Sequence, residues 1–148
     1  MLTIRRLSLA DAHVLLKGAE LKSSEMNIPM CIAVVDEAGH LVAFSRMDGG
    51  KITSIDIAIT KAYTAACARR GTHEYNKLAV PGSPTYGINT TNQGRFTIIG
   101  GGLPVVVEGQ IVGGIGASTG TAEEDQIVAQ AGIDYFLARL KASAEATS

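Results

Sequence analysis

Lys61 is the only charged side chain between Asp56 and Arg69, inside the run I-A-I-T-K-A-Y-T-A-A-C-A. At about 100° per residue, Ile55, Ala58, Ile59, Ala62, Ala65 and Ala66 form one apolar helix face, with Lys61 on its flank. A lysine in such company either snorkels to water or is held partly buried by a carboxylate. The second arrangement makes it a candidate base, Schiff-base former or carboxylate anchor. His13 lies at the edge of another apolar helix face, with Glu20 two turns further along the same side. An edge histidine is either plain surface or a ligand that reaches a metal or haem iron while its helix stays packed. His40, in a hairpin turn, and His73, at a helix start, have no partner at ligand spacing.

Arg46 and Asp48 close a strand just before Gly49-Gly50, a position that suits a site and a turn-fixing ion pair equally. Glu123, Glu124 and Asp125 crowd the start of the last helix, where capping and the helix dipole favour them. Three acids there would repel the phosphate that a bare helix start attracts. Eight of the seventeen glycines fall between Gly100 and Gly120. G-I-G-A-S-T-G misses G-x-G-x-x-G because Thr119 holds the last position, and no G-K-[ST] occurs, so both nucleotide-binding fingerprints are rejected. Glycine within a strand marks close approach of a ligand or another backbone. Gly101 and Gly102 are therefore candidate cofactor-contacting positions.

The elements that must position these residues follow from periodicity and caps. Ser8 with Asp11 starts a helix from about Leu9 to about Glu25, with Leu9, Ala12, Leu15, Leu16 and Ala19 on its inner face. Met30–Val35 and Leu41–Phe44 form a hairpin around D-E-A-G-H. The Lys61 helix runs from about Ser54 to Arg69, with Gly71 as its stop. A short polar helix at Thr72–Leu78 precedes a loop, rich in hydroxyls and glycine, from Pro81 to Gln93. Phe96–Ile99 reads as a strand, followed by the hairpin of Leu103–Val107 and Ile111–Ile115 around E-G-Q. Thr121 with Glu124 caps a last helix to about Leu140, after which the Ala/Ser-rich tail is expected to fray. This order implies an α+β fold, an antiparallel sheet of about five strands with helices packed around it, as a single domain over residues 1–148 with a core of about 7–140.

Composition removes several function classes. With 46% hydrophobic residues, 18% charged residues and a net charge of −1, the chain affords a core but no broad basic face for nucleic acid. It has no tryptophan and few aromatics for base stacking. No run approaches the roughly 18 apolar residues of a membrane span. The first residues lack the apolar core of a signal peptide, so a cytoplasmic protein is expected. Cys31 and Cys67 are far apart, with no C-x-x-C, and read as two buried thiols.

As a set, V-V-D-E-A-G-H-L-V-A-F-S-R-M-D, K-A in the helix, G-G-G-L-P-V-V-V-E-G-Q-I-V-G-G-I-G-A-S and the following E-D resemble the GlcG/HbpS family, which includes the C-terminal domain of PduO proteins. The resemblance runs from about Leu7 to Leu140. It implies a small α+β domain, homo-oligomers, and haem or a related planar cofactor as ligand. It further implies that a first-helix histidine, here His13, ligates haem iron. Lys61 and Asp125 match recurrent family positions, which favours a shared pocket. A second expectation is a small catabolic enzyme, a hydrolase or isomerase of an unsaturated or hydroxy acid. Lys61 would then be anchor or base, Arg46 would hold the substrate, and Asp125 or Glu124 would move a proton.

Overall fold

The computed structural model describes residues 1–147. Helix α1, Leu9–Glu25, starts at the expected capping box: Asp11 N–H donates to Ser8 Oγ (3.1 Å) and Ser8 N–H to Asp11 Oδ2 (2.8 Å). Ala12, Leu15, Leu16 and Ala19 are buried as the spacing requires, whereas Leu9 is 55% exposed. Strands β1 (Cys31–Asp36) and β2 (Leu41–Arg46) form the first hairpin. Helix α2, Thr53–Ala68, carries Lys61 and ends because Arg69 takes the left-handed conformation (φ 62°), two residues before the expected glycine stop. A 3-10 turn at Thr72–Glu74 runs into the short α3, Tyr75–Leu78.

β3 (Gly102–Val107) and β4 (Gln110–Ser118) meet at Glu108-Gly109, both with positive φ (50° and 77°). That is the two-residue turn whose twist matches antiparallel strands. The four strands form one antiparallel sheet in the order β2-β1-β4-β3.

Two expectations need correction. Phe96–Ile99 is not a strand, so the sheet has four strands rather than about five. Side chains take up its backbone groups: Thr97 N–H donates to Thr64 Oγ1 (3.0 Å), Ile98 C=O accepts from Asn76 Nδ2 (3.3 Å), and Ile99 N–H donates to Thr97 Oγ1 (3.2 Å). The last helix does not stop near Leu140, because α4 spans Ala122–Thr147. Its last turns are alanine-rich, the best helix former, and hold a Lys141–Glu145 pair at one-turn spacing (3.9 Å).

The sheet separates two unlike layers. On one face, Ile32, Val34, Ile115, Ala117 and Val105 pack against α1 and α4 in a core of large aliphatic side chains. On the other, Cys31, Ala33 and Val35 meet Ala58, Ala62 and Ala66 of α2. The glycines explain how close α2 comes. A Cβ on Gly114 would lie 2.6 Å from the Ala62 carbonyl oxygen, and one on Gly116 would collide with that of Ala58. Much of the glycine-rich block is thus a seat for a helix backbone.

Candidate functional site

Lys61 is 1% exposed, and its ammonium does not snorkel. Nζ donates to Asp125 Oδ2 (2.7 Å) and to the Ala117 carbonyl (3.0 Å). Asp125, 2% exposed, accepts from Gly120 N–H through Oδ1 (2.9 Å). Lys61 belongs to the α2 layer and Asp125 to the first turn of α4 on the opposite face. The side chain passes the end of β3 at Gly101, where a Cβ would lie 2.7 Å from Nζ and 2.8 Å from the Asp125 Cβ. Gly101 adopts φ 123°, a conformation suited to glycine. A Cβ on Gly102 would collide with the Lys61 carbonyl. Both glycines thus make room for this chain's own lysine.

Burial pushes the Asp125 carboxyl above the usual carboxylate range, while the Lys61 hydrogen bond and charge, and the Gly120 N–H, oppose that push. Taking one partner away would leave a buried charge uncompensated. The pair ties two helix layers together across the sheet edge.

The other expected catalytic residues do not join this pair. Glu124 closes the capping box of α4, accepting from Thr121 N–H (2.9 Å) while its own N–H donates to Thr121 Oγ1 (3.2 Å). Arg46 is exposed at the end of the edge strand β2, opposite Cys31, which in turn faces Ser118 on β4. Two strand spacings, about 10 Å, therefore separate the Arg46 backbone from β4. Three surface cavities stand out among the described residues, and none is lined by Lys61, Arg46 or Asp125.

His13 is exposed on α1 and has no hydrogen bond or ion pair among the described residues. Its neighbours one turn away are Leu9, 55% exposed, and Lys17, also exposed. Among the described residues no cluster of three or more His, Cys, Asp or Glu side chains forms a metal site. A haem can be held by one axial imidazole on its iron, apolar contact with the ring and a cation near its propionates. Free His13, Leu9 and Lys17 fit that donor set. Cys31 is buried, but Cys67 is exposed, which corrects the reading of two buried thiols. No helix among the described residues is long and apolar enough to cross a membrane.

Residues 7–134 match the family of haem-degrading HbpS-like proteins. The chain belongs to this HbpS-like family. It is 43% identical over 133 residues to a 15.0 kDa protein of the dhaT-dhaS intergenic region of Citrobacter freundii, covering 90% of this chain and 94% of that one. Its fold is similar to the crystal structure of protein ORFY of Klebsiella pneumoniae, with a TM-score of 0.91, 38% identity, and coverage of 93% of this chain and 95% of that chain. It is similar also to PduOC, solved as a heme complex, with a TM-score of 0.84, 32% identity, and coverage of 88% and 94%.

The family resemblance brought Lys61 and Asp125 into one pocket, but gave no means of seeing that residues 64 positions apart are hydrogen-bonded to each other. Sequence reasoning missed a groove of about 860 Å³ between α1 and α4, lined by Gly18, Leu21, Ile127, Ala131 and Tyr135 with a polar rim.

Proposed function

We propose that this chain binds haem or a closely related planar cofactor, with His13 as the axial ligand. The observation that carries the reading is the likeness to PduOC, a heme complex at 32% identity over 88% of this chain. The free imidazole of His13 supports it from within the molecule. Bound haem would supply an iron centre for ligand binding or redox chemistry. The chain's own contribution is an imidazole lone pair from His13, an apolar contact from Leu9 and a positive charge from Lys17.

The catalytic alternative draws less support. Its proposed base is already paired with its proposed acid, and both are buried. An exposed free thiol at Cys67 suits a reducing compartment, which favours the cytoplasm.

Titration with haemin tests the proposal. The wild-type chain should show a Soret shift that saturates. His13→Ala should weaken binding by at least about tenfold, which corresponds to 1.4 kcal/mol. Superimposable titrations of the two proteins would remove His13 from the site, and an unsaturable wild-type response would remove haem.

A further inference from the structure

A cavity of about 520 Å³ opens where the chain's first residues meet the end of α2. Leu7 N–H donates to the Val112 carbonyl (3.1 Å), and the Arg5 guanidinium pairs with Glu108 (2.9 Å). These two contacts hold residues 2–5 in place as one wall. Ala66 and Arg69 at the end of α2, and residues 109–111 at the start of β4, complete the lining. The volume falls in the range of about 300–1,000 Å³ that suits a small molecule.

Two features of this cavity are left unmet by the chain itself. One is apolar: Leu2 is 91% exposed and Ile4 62%, although both line the concavity. A ligand covering them would remove that surface from water. The other is charge. Arg5 is neutralised by Glu108, and Glu37 by Arg6. Arg69 is the one charged lining residue with no hydrogen bond or ion pair among the described residues. Its backbone is also strained. It holds φ 62° at the left-handed position that ends α2, where glycine is usual because a Cβ is disfavoured.

We infer that this cavity binds a small amphipathic monocarboxylate, with Arg69 on the carboxylate and Leu2, Ile4 and Ile111 along the apolar body. The guanidinium fork matches a carboxylate with two parallel N–H···O bonds. The Thr3 hydroxyl and the Gln110 amide line the same cavity and offer further donors. One unpaired cation sets the ligand's charge at a single negative. Glu37 and the carbonyls that end α2 would repel a dianion such as a phosphate monoester. Backbone strain persists where a side chain is put to use, which accounts for arginine at a glycine position. The site shares no residue with His13, Leu9 and Lys17, so it stands or falls apart from haem.

Octanoate is the probe, titrated at pH 7 into the full chain and followed by backbone amide shifts in NMR. The Arg69, Gln110 and Ile111 amides should move and saturate. 1-Octanol has the body without the charge, and acetate the charge without the body; each should bind about tenfold or more weakly. Arg69→Gly should lose at least about tenfold in octanoate affinity while its urea midpoint rises, because glycine relieves the left-handed strain. Arg69→Gln keeps the strain and lacks the charge. It should bind as weakly as Arg69→Gly, at the midpoint of the wild type. Octanoate shifts confined to other parts of the chain, 1-octanol binding as tightly as octanoate, or either Arg69 variant binding like the wild type would each overturn the inference.

Discussion

The two faces of the sheet are built on opposite principles. The face toward α1 and α4 is filled by large side chains, Ile32, Val34, Val105, Ile115 and Phe136 among them. On the face toward α2, β3 and β4 are bare at Gly102, Gly114 and Gly116, where they meet the inner alanines of the helix, while β1 adds Cys31, Ala33 and Val35. On the first face, separation is set by side-chain volume and relaxes when a residue shrinks. On the second it is set by backbone against backbone, so nothing can be added. Only a helix this close lets Lys61 reach past Gly101 to a carboxylate in the opposite layer. The buried ion pair depends on the bare face.

Breaking the tie between the layers should have the largest effect. Asp125→Ala leaves the Lys61 ammonium buried without its partner and should cost about 3–5 kcal/mol in urea unfolding. Lys61→Met combined with Asp125→Leu should recover most of that loss; if the double variant is as unstable as the single one, the cost lies in packing and not in charge. Neighbouring residues on β4 provide the next test. Ile115→Ala, on the filled face, opens a cavity and should cost about 2–5 kcal/mol. Gly116→Ala, on the bare face, adds a methyl group and should cost about 1–3 kcal/mol through overpacking. The contrast would vanish if Gly116→Ala were neutral, since α2 would then have room to move.

The smallest effect belongs to the exposed surface. The Arg6 hydrogen bond holds the Glu37 carboxyl below its ordinary value of 4.5, with the two side chains 2.8 Å apart. A depressed carboxyl stabilises the fold above its unfolded value and loses that contribution as pH falls through its folded value. Wild type and Glu37→Gln should therefore differ slightly in urea midpoint near neutrality and converge in acid. Added salt should shrink the difference, because the Arg6 end of the pair is exposed.

Much of this architecture was legible without coordinates. Ser8 with Asp11 and Thr121 with Glu124 marked helix starts within a residue, because a cap is a contact between residues three apart. The Glu108-Gly109 turn was legible for the same reason. Phe96–Ile99 misled because its apolar alternation is that of a strand. What denies it a strand's ladder is Thr64 and Asn76, more than twenty positions away. The α4 tail misled in the other direction, its composition suggesting fraying where alanine propensity and Lys141–Glu145 sustain a helix.

The candidate chemistry divides along the same line. The sequence by itself determined that Lys61 sits alone in an apolar helix and that Asp125 opens another, since both facts are local periodicity. It determined family membership through motifs spread over the chain. Only the tertiary structure decided that the two residues are one pair, that Gly101 is the gap that joins them, and that Arg46 stands two strands away. Those outcomes depend on how closely α2 settles on the sheet. That distance is set by carbonyl oxygens meeting missing side chains, a property of packed surfaces that no stretch of chain carries alone.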